Sequence, residues 1–267
     1  MGYLCPKQKY DNPLRYFLVF SYNGQAYHGW QRQPSAVSVQ QTLEEAITTI
    51  TRTPVQLVGA GRTDAGVHAR YMVAHFDSGS PLYTTELVQR LNAYLPQDIA
   101  VRELVPVGDN AHARFDAIER TYEYWVVQQK EPFLYEWAHY VHLPLELTAM
   151  NEAAAQLLQY TNFECFSKSN TDVKTYVCHL KEAHWTKVEN RLVFTITADR
   201  FLRNMVRAVV GTLLDVGLGK RSIQDVNSII KSKDRGEAGV SVPAKGLYLT
   251  RVIYPETIFK PDGQGDR

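Results

Sequence analysis

The stretch GAGRTDAGVHAR, residues 59–70, lies between two runs of strand-forming residues, and the rest of the chain is organised around it. Its three glycines tolerate sharp turns and positive φ angles, so we expect a loop that presents Asp64 and Arg62 at its tip. In a glycine-rich turn, an aspartate commonly caps its own backbone. A carboxylate beside a cation in a constrained loop would equally suit a permanently charged nucleophile or base.

Two better-known glycine motifs are absent from this stretch. A dinucleotide-binding fingerprint that starts at Gly59 requires glycine at the position of Asp64. A phosphate-binding loop ends in Gly-Lys-Ser/Thr, and GRTDAG lacks that ending. The stretch therefore predicts neither a dinucleotide site nor a triphosphate site.

Length and composition predict a globular protein with one large core or two smaller ones, since 45% of the 267 residues are hydrophobic. No apolar run reaches the roughly eighteen residues of a membrane span, and the N-terminus has no apolar signal segment, so we expect a cytoplasmic protein. The three cysteines lack CxxC spacing, which argues against a disulfide framework or a zinc ribbon. A metal site remains a minor alternative, with candidate ligands Cys165, Cys178, His179 and His184.

The net charge of +1 does not by itself indicate a nucleic-acid partner. If RNA binds, the fold must gather cations on one face, because phosphate attraction depends on local charge. Six arginines lie in or beside the motifs given below, and each could instead be ordinary solvated surface: Arg62, Arg70, Arg114, Arg120, Arg203 and Arg207.

Hydrophobic periodicity predicts the order β-α-β-β-α-β in the first half of the chain. The predicted elements are a strand at 15–22, a helix at 38–51, strands at 55–58 and 71–76, a helix at 85–95 and a strand at 100–107. Ser38 and Gln41 form a possible capping box for the first helix. This is the split arrangement of ferredoxin-like and RNA-recognition domains.

The second half repeats this order. The predicted elements are a strand at 121–128, a helix at 148–160 with Leu157 and Leu158 inward, strands at 174–188 and 191–198, helices at 201–216 and 222–230, and a strand at 247–253. We therefore predict an α+β fold in which two ferredoxin-like halves join around a mainly antiparallel sheet with a central cleft. The expected boundaries are a flexible N-terminus (1–14), a first half (15–108), a connection and second half (109–255) and a flexible tail (256–267).

Two loops leave alternatives open. In the loop at 23–36, the side chains of Tyr27, His28, Trp30 and Gln31 could contact RNA or fold down onto the core. In the loop KSNTDVK, Lys168 and Lys174 could reach RNA phosphates or remain solvated.

Four motifs together resemble the TruA family of tRNA pseudouridine synthases: GAGRTDAGVHA, RTYEYWV (120–126), FLRNMVRAVVG (201–211) and AKGLYL (244–249). The similarity extends from about residue 15 to residue 254, and the four motifs occur in the family's order. The resemblance implies the pseudouridine synthase fold and an isomerase that acts on uridines of the tRNA anticodon stem-loop. It also implies a homodimer that needs no cofactor and no metal.

The resemblance further implies a role for each of five residues. Asp64 would be the nucleophile and Arg207 its charge partner. Tyr122 would stack on the target uracil, Arg62 would replace the flipped base in the RNA stack, and Leu247 with its neighbouring backbone would contact the uracil. Two other hypotheses stay open: an RNA-binding protein of the same architecture without catalysis, and an unrelated aspartate-dependent hydrolase.

Overall fold

A computed structural model of the chain describes residues 14–168 and 173–259. The first half contains β1 (Leu14–Tyr22), α1 (Val39–Thr51), β2 (Val58–Gly59), β3 (His68–Ser78), α2 (Thr84–Tyr94) and β4 (Ile99–Pro106). The second half contains β5 (Glu119–Val127), β6 (His139–Tyr140), α3 (Leu147–Leu157), β7 (Leu180–Val188), β8 (Arg191–Ala198), α4 (Met205–Gly217), α5 (Ile223–Ser232) and β9 (Leu247–Ile253).

The strands form one sheet in the order β4-β1-β3-β9-β5-β8-β7, with β2 paired to β3 and β6 paired to β5. Within the first half the order is β4-β1-β3-β2, which is the fourth, first, third and second strand of that half. The second half has the same order, β9-β5-β8-β7, when the short β6 is left out. All pairings are antiparallel except β3 with β9 and β5 with β6. The predicted fold class, two ferredoxin-like halves around a mainly antiparallel sheet, is confirmed.

The two halves join where β3 and β9 run parallel, with His68 opposite Tyr248 and Ala69 opposite Leu249. Parallel strands begin at the same end of a sheet. The loop that precedes β3 and the short 3₁₀ turn that precedes β9 (Ala244–Gly246) therefore lie side by side. The junction places the Asp64 loop beside the AKGLYL motif, although nearly two hundred residues separate them in sequence.

Several predicted boundaries differ from the structure because backbone groups bond outside the sheet. The predicted strand at 55–58 reduces to β2, since the backbone N–H of Leu57 donates to the buried Glu44 carboxylate (2.9 Å). β7 starts only at Leu180, because the segment before it pairs with residues 161–163. α4 starts at Met205 rather than at residue 201, because Asn204 adopts a left-handed conformation with φ of 66°.

Two helix details also differ from the sequence prediction. Ser38 caps α1 by accepting from the backbone N–H of Gln41 (3.2 Å), but the Gln41 amide donates to Glu45, so only half of the capping box forms. Leu158 is exposed, whereas Leu157 is buried, because consecutive side chains on a helical backbone point about 100° apart and only Leu157 lies on the buried face of α3. The prediction that Leu158 faces inward was wrong.

Some predictions fall at the chain ends. Residues 256–259 lie within the predicted flexible tail, yet Glu256–Ile258 forms a 3₁₀ turn, and Phe259 pairs with Val107. The N-terminus up to residue 13 and the tail from residue 260 lie outside the described residues, as does the segment 169–172 of the KSNTDVK loop. None of the helices in the described part combines the length and apolar content of a membrane span.

His75 on β3 is expected to make the stability of the protein depend on pH. Its ring is buried and its Nδ1 accepts from the backbone N–H of Ala113 (3.0 Å). Burial, together with the charges of Arg15 and His112, lowers the pKa of His75 from 6.5 to about 4. Between these two pH values the unfolded chain binds more protons, so the free energy of unfolding should fall as the pH falls. We expect a loss of about 2 kcal/mol between pH 7 and 4.5 by urea titration.

His75→Asn is the matched control, because its Oδ1 can accept the same hydrogen bond without titrating. Its unfolding free energy should depend less steeply on pH than that of the wild type. Parallel curves for the two proteins would show that His75 does not carry the effect.

Candidate active site

The Asp64 loop is clamped by the preceding loop at residues 23–30. Gly29 has a φ of +91°, and a Cβ there would lie 2.4 Å from the carbonyl oxygen of Thr63. The backbone N–H of Trp30 donates to that same oxygen (3.2 Å), and the Thr63 hydroxyl bonds to the Tyr22 hydroxyl (2.8 Å). These contacts hold the loop that carries Asp64 in one position. The contact at Gly29 is so close that it leaves no room for a side chain at that residue.

These contacts decide, for each aromatic or polar residue of the 23–36 loop, between the two interpretations, contact with RNA or packing onto the core. Tyr27 and Trp30 are buried in the core and hold the Asp64 loop from behind. His28 and Gln31 are exposed, so they alone of the four residues stay available to a ligand.

Asp64 lies between two arginines. Its Oδ2 is 3.5 Å from a terminal nitrogen of Arg207, and its Oδ1 is 3.6 Å from Nε of Arg203. The Asp64 side chain is 26% exposed. Two guanidinium groups at this range attract the negative charge of the carboxylate, in a partly desolvated position where Coulomb attraction is stronger than in bulk water.

Both arginines reach Asp64 because of the way the chain leaves the sheet. β8 ends at Ala198, opposite Arg120 at the start of β5, and the chain then passes over the junction into α4. The Nδ2 of Asn204 donates to the Ser241 hydroxyl (2.6 Å), which fixes the turn into the helix. Arg207 follows in the first turn of α4.

The segment that contains Ser241 and Val242 anchors two arginines of the site. Arg207 donates from Nε to the carbonyl of Val242 (2.7 Å), and Arg235 donates to the Ser241 hydroxyl (2.9 Å). A pocket of about 580 Å³ opens beside Asp64 and these arginines. It is lined by Asp64, Ala65, Lys168, Arg203, Asn204, Arg207 and Arg235. The wall of this pocket, within the residues described, carries four cations and one carboxylate, so a polyanion is the ligand that its charge favours.

Tyr122 lies on the sheet beside the pocket. On β5 it is opposite Leu249 of β9, which is in turn opposite Ala69 at the start of β3. It is only 9% exposed, and its ring meets Phe201 edge to face at a centroid distance of 5.2 Å. Burial raises the pKa of Tyr122 to about 12, and the negative charge of Asp64 contributes to the rise. The hydroxyl is therefore a neutral donor near Asp64.

The other two predicted site residues lie farther from the pocket wall. Leu247 is buried in the sheet opposite Tyr124, whose hydroxyl donates to the carbonyl of Pro243 (2.8 Å). Arg62 is exposed on the loop two residues before Asp64. Neither side chain lines the pocket. The structure thus brings together Asp64, Arg207 and Tyr122, and it leaves Leu247 behind the site and Arg62 at its rim.

The His68 ring connects the end of the Asp64 loop to the AKGLYL motif through hydrogen bonds. Its Nδ1 accepts from the backbone N–H of Gly24 (3.1 Å) and its Nε2 lies 3.2 Å from the carbonyl of Lys245. These partners require a neutral ring with the proton on Nε2. Burial lowers the pKa of His68, which agrees with that state.

Sequence reasoning missed two functions among the six arginines. Arg203 is a second partner of Asp64, and the sequence carries no signal for it, because Arg203 precedes α4 and is separated from the helix by the left-handed turn at Asn204. Arg120 points inward and donates to four backbone carbonyls, those of Ala60, Arg114, Ala117 and Asp199. Nothing in the sequence marks this role, because the acceptors are backbone groups. Arg70 and Arg114 lie over the rings of Trp125 and Phe115 instead of lining the pocket.

The alternative of a Cys–His metal site finds no geometric support. Cys165 and Cys178 are buried, and burial raises the pKa of their thiols to about 12 and about 11. His179 pairs with Asp199 (2.7 Å) and His184 with Glu182 (3.3 Å). Across residues 14–168 and 173–259, no three His, Cys, Asp or Glu side chains gather as a metal site would require.

Comparison with known proteins points to one family. The sequence profile of a family described as tRNA pseudouridine synthase matches residues 18–116 and 153–255, which include Asp64, Arg203 and Arg207. The chain is 55% identical over 249 residues to tRNA pseudouridine synthase A of Porphyromonas gingivalis, with 92% of this chain and 99% of that protein covered.

Two further relatives carry the same name. The protein from Parabacteroides distasonis is 52% identical over 246 residues, covering 92% of this chain and 98% of its own length. The protein from Thermoanaerobacter sp. is 39% identical over 239 residues, covering 89% and 98%. A profile match over most of the chain and relatives at this level of identity confirm the resemblance of the four motifs, and the chain belongs to the tRNA pseudouridine synthase family.

Proposed function

We propose that this protein isomerises uridine to pseudouridine in the anticodon stem-loop of tRNA, with Asp64 as the nucleophile. The observation that carries the proposal is the Asp64 carboxylate, held 3.5 and 3.6 Å from two guanidinium groups in a cationic pocket beside Tyr122. In the reaction the bond from N1 of uracil to the ribose breaks, the base turns, and C5 bonds to the same ribose carbon. A proton leaves C5 and a proton is gained at N1, so no oxidant, reductant or cofactor is needed.

Each of the site residues has a proposed part in this sequence. Arg207 attracts the carboxylate of Asp64 while the site excludes water, so the negative charge is stabilised by Coulomb attraction when a base enters. Arg62, flat and cationic at the rim, is placed to fill the gap that the flipped uridine leaves in the RNA stack. We assign the apolar contact with uracil to the backbone that precedes Leu247, because the Leu247 side chain is buried and does not line the pocket.

The wider setting follows the resemblance to the family. We propose that the enzyme is a cytoplasmic homodimer and that residues 15–108 and 109–255 act as its two halves.

The two alternative functions have less support. A hydrolase that uses paired carboxylates needs a second acid within several Å, and the described wall of this pocket supplies arginines instead. A binding protein without catalysis leaves the juxtaposition of Asp64, Arg207 and Tyr122 without a purpose.

Incubation with unmodified tRNA tests the proposal. The RNA is digested to nucleosides and pseudouridine is quantified against uridine, with a second tRNA in which the uridines of the anticodon stem-loop are replaced by cytidine as control. We expect pseudouridine in the first tRNA and none in the second. Equal amounts in both would contradict the anticodon target, and none in either would contradict the activity.

Tyr122→Phe is expected to separate stacking from proton transfer. The variant keeps the ring and its contact with Phe201 but loses the neutral hydroxyl beside Asp64. If that hydroxyl takes part in moving the C5 proton, turnover should fall by about 100-fold or more while the tRNA dissociation constant changes little. Turnover within threefold of wild type would confine Tyr122 to stacking. Single-turnover rates and filter binding provide the two measurements.

A further inference from the structure

The two arginines at Asp64 are held very differently. Arg207 is 21% exposed and is anchored by its Nε to the carbonyl of Val242 (2.7 Å). Arg203 is 58% exposed. Both arginines contact Asp64 at 3.5 to 3.6 Å, beyond the length of a normal hydrogen bond, so their exposure and the Val242 anchor are what distinguish them. Exposed ion pairs of this kind contribute little to stability and are readily broken. Arg207 is therefore the permanent partner of Asp64, and Arg203 is a replaceable one.

The backbone of Arg203 is fixed although its side chain is exposed. Its carbonyl accepts from the backbone N–H of Lys168 (3.0 Å), and the next residue, Asn204, is locked by its bond to Ser241. The guanidinium group can thus re-orient about a stationary Cα. Arg203 lines the pocket together with Asp64.

The charge of the pocket indicates where Arg203 would go. Lys168, Arg203, Arg207 and Arg235 line the same pocket as the Asp64 carboxylate, so its lining carries a surplus of positive charge. A uridine whose base reaches Asp64 carries backbone phosphates on both sides of its ribose. Arginine binds a phosphate through two parallel N–H donors, a stronger arrangement than its present contact through one nitrogen.

We propose that Arg203 exchanges Asp64 for a phosphate of the RNA backbone when the substrate binds. The inference rests on the proposed function, since it takes an RNA with a uridine at Asp64 as the ligand. In the free protein, Arg203 neutralises and restrains the carboxylate. In the complex, Asp64 keeps Arg207 alone, so its negative charge is less compensated at the moment when the ribose and base arrive. Arg203 is in this sense a positioning residue that couples RNA binding to the exposure of Asp64.

Salt-dependent tRNA binding gives the first test. Arg203→Ala is compared with Arg90→Ala, a matched control, because Arg90 on α2 is 54% exposed and lies 3.6 Å from Glu86. Loss of a phosphate contact should lower the slope of log Kd against log salt by about 1 for Arg203→Ala and leave it unchanged for Arg90→Ala. Thermal unfolding of both variants verifies that they fold. Equal slopes for the two variants would overturn the proposal.

A double-mutant cycle with Asp64→Asn gives the second test, and its readout is distinct from a general charge effect. Removing the carboxylate releases Arg203 in advance, so Asp64→Asn should bind tRNA several-fold more tightly than the wild type. The gain should vanish when Arg203→Ala is already present. A gain of the same size in both backgrounds would show simple relief of repulsion between Asp64 and the RNA, and would overturn the exchange.

The binding experiments test the exchange of Arg203, and the activity assay tests the proposed function, so either proposal can be contradicted without the other. A wild-type protein that binds tRNA with the predicted slopes and forms no pseudouridine would overturn the proposed function alone. Pseudouridine formation together with equal slopes for the two arginine variants would overturn the exchange alone.

Discussion

Asp64→Asn is expected to bind tRNA at least as well as the wild type and to form pseudouridine about 10⁴-fold more slowly or not at all. Asparagine has the shape of aspartate, so the clamp from Gly29 and Trp30 should hold the loop in place. The amide lacks the negative charge that Arg203 and Arg207 attract, and its oxygen is a far weaker nucleophile. Binding and chemistry should therefore separate in this one variant.

Two companion variants make the result specific. Asp64→Ala guards against slow conversion of asparagine back to aspartate, and it should be equally inactive. Asp64→Glu keeps the charge but shifts it by one methylene, which misplaces the reacting oxygen, so intermediate activity is expected. The rates are measured in single turnover with enzyme in excess over tRNA. An Asp64→Ala protein with rates within tenfold of wild type would remove Asp64 from the chemistry.

Arg120→Met is expected to destabilise the protein by about 3 kcal/mol or more. The guanidinium donates to the carbonyls of Ala60, Arg114, Ala117 and Asp199, and methionine would leave these acceptors without a donor. Burial lowers the pKa of Arg120, which shows how far this cation is removed from water. Breaking several such bonds at a partly buried position is among the costly single changes.

Arg251→Met is the control for this experiment. Arg251 lies opposite Thr121, next to Arg120 in the sheet, but its side chain is 53% exposed. Its Nε donates to the Thr121 hydroxyl (3.3 Å), and a terminal nitrogen lies 4.0 Å from the Glu119 carboxylate. We expect a change below about 1 kcal/mol for it in urea or thermal unfolding. Arg120→Lys should fall between the two, because an ammonium has three donors instead of five. A loss below 1 kcal/mol for Arg120→Met would contradict the role assigned to its carbonyl bonds.

Arg120→Met should also slow the reaction in the molecules that remain folded. Ala60 lies at the base of the Asp64 loop, and Asp199 begins the segment that leads to Arg203, so one side chain ties the two sides of the site together. Turnover measured well below the unfolding temperature is expected to fall, with a smaller effect on tRNA affinity. Arg251→Met should retain both.

Most of the fold could be predicted from the sequence because each strand and helix carries its own periodicity. The run of aromatic and branched residues in RYFLVFSY and the apolar stripe of α1 are local signals, and the structure confirms both elements. The errors arise where a distant group takes over a backbone bond. Glu44 captures the N–H of Leu57 and shortens β2, and residues 161–163 do the same for the start of β7. No pattern in the local sequence indicates that a backbone N–H will bond to a distant group in this way.

The part of the candidate site that lies within the four sequence motifs could be predicted. Asp64, Tyr122 and Arg207 were expected to lie together, and the structure brings them to one place, although their roles remain predictions. The pairing of Arg203 with Asp64 depends on the left-handed turn at Asn204, which no propensity scale indicates for that residue. The inward course of Arg120 depends on four carbonyls from separate segments, and only the assembled fold places them around one guanidinium.

Position-resolved mapping of pseudouridine in one unmodified tRNA, after a single turnover with wild type and with Asp64→Asn side by side, tests the central claim most directly. The tRNA is treated with a carbodiimide that marks pseudouridine, and reverse transcription then reads the marked positions. We predict marks in the anticodon stem-loop with the wild type and none with the variant, although both proteins bind the tRNA. Marks at the same positions and to the same extent with both proteins would contradict Asp64 as the group that performs the isomerisation.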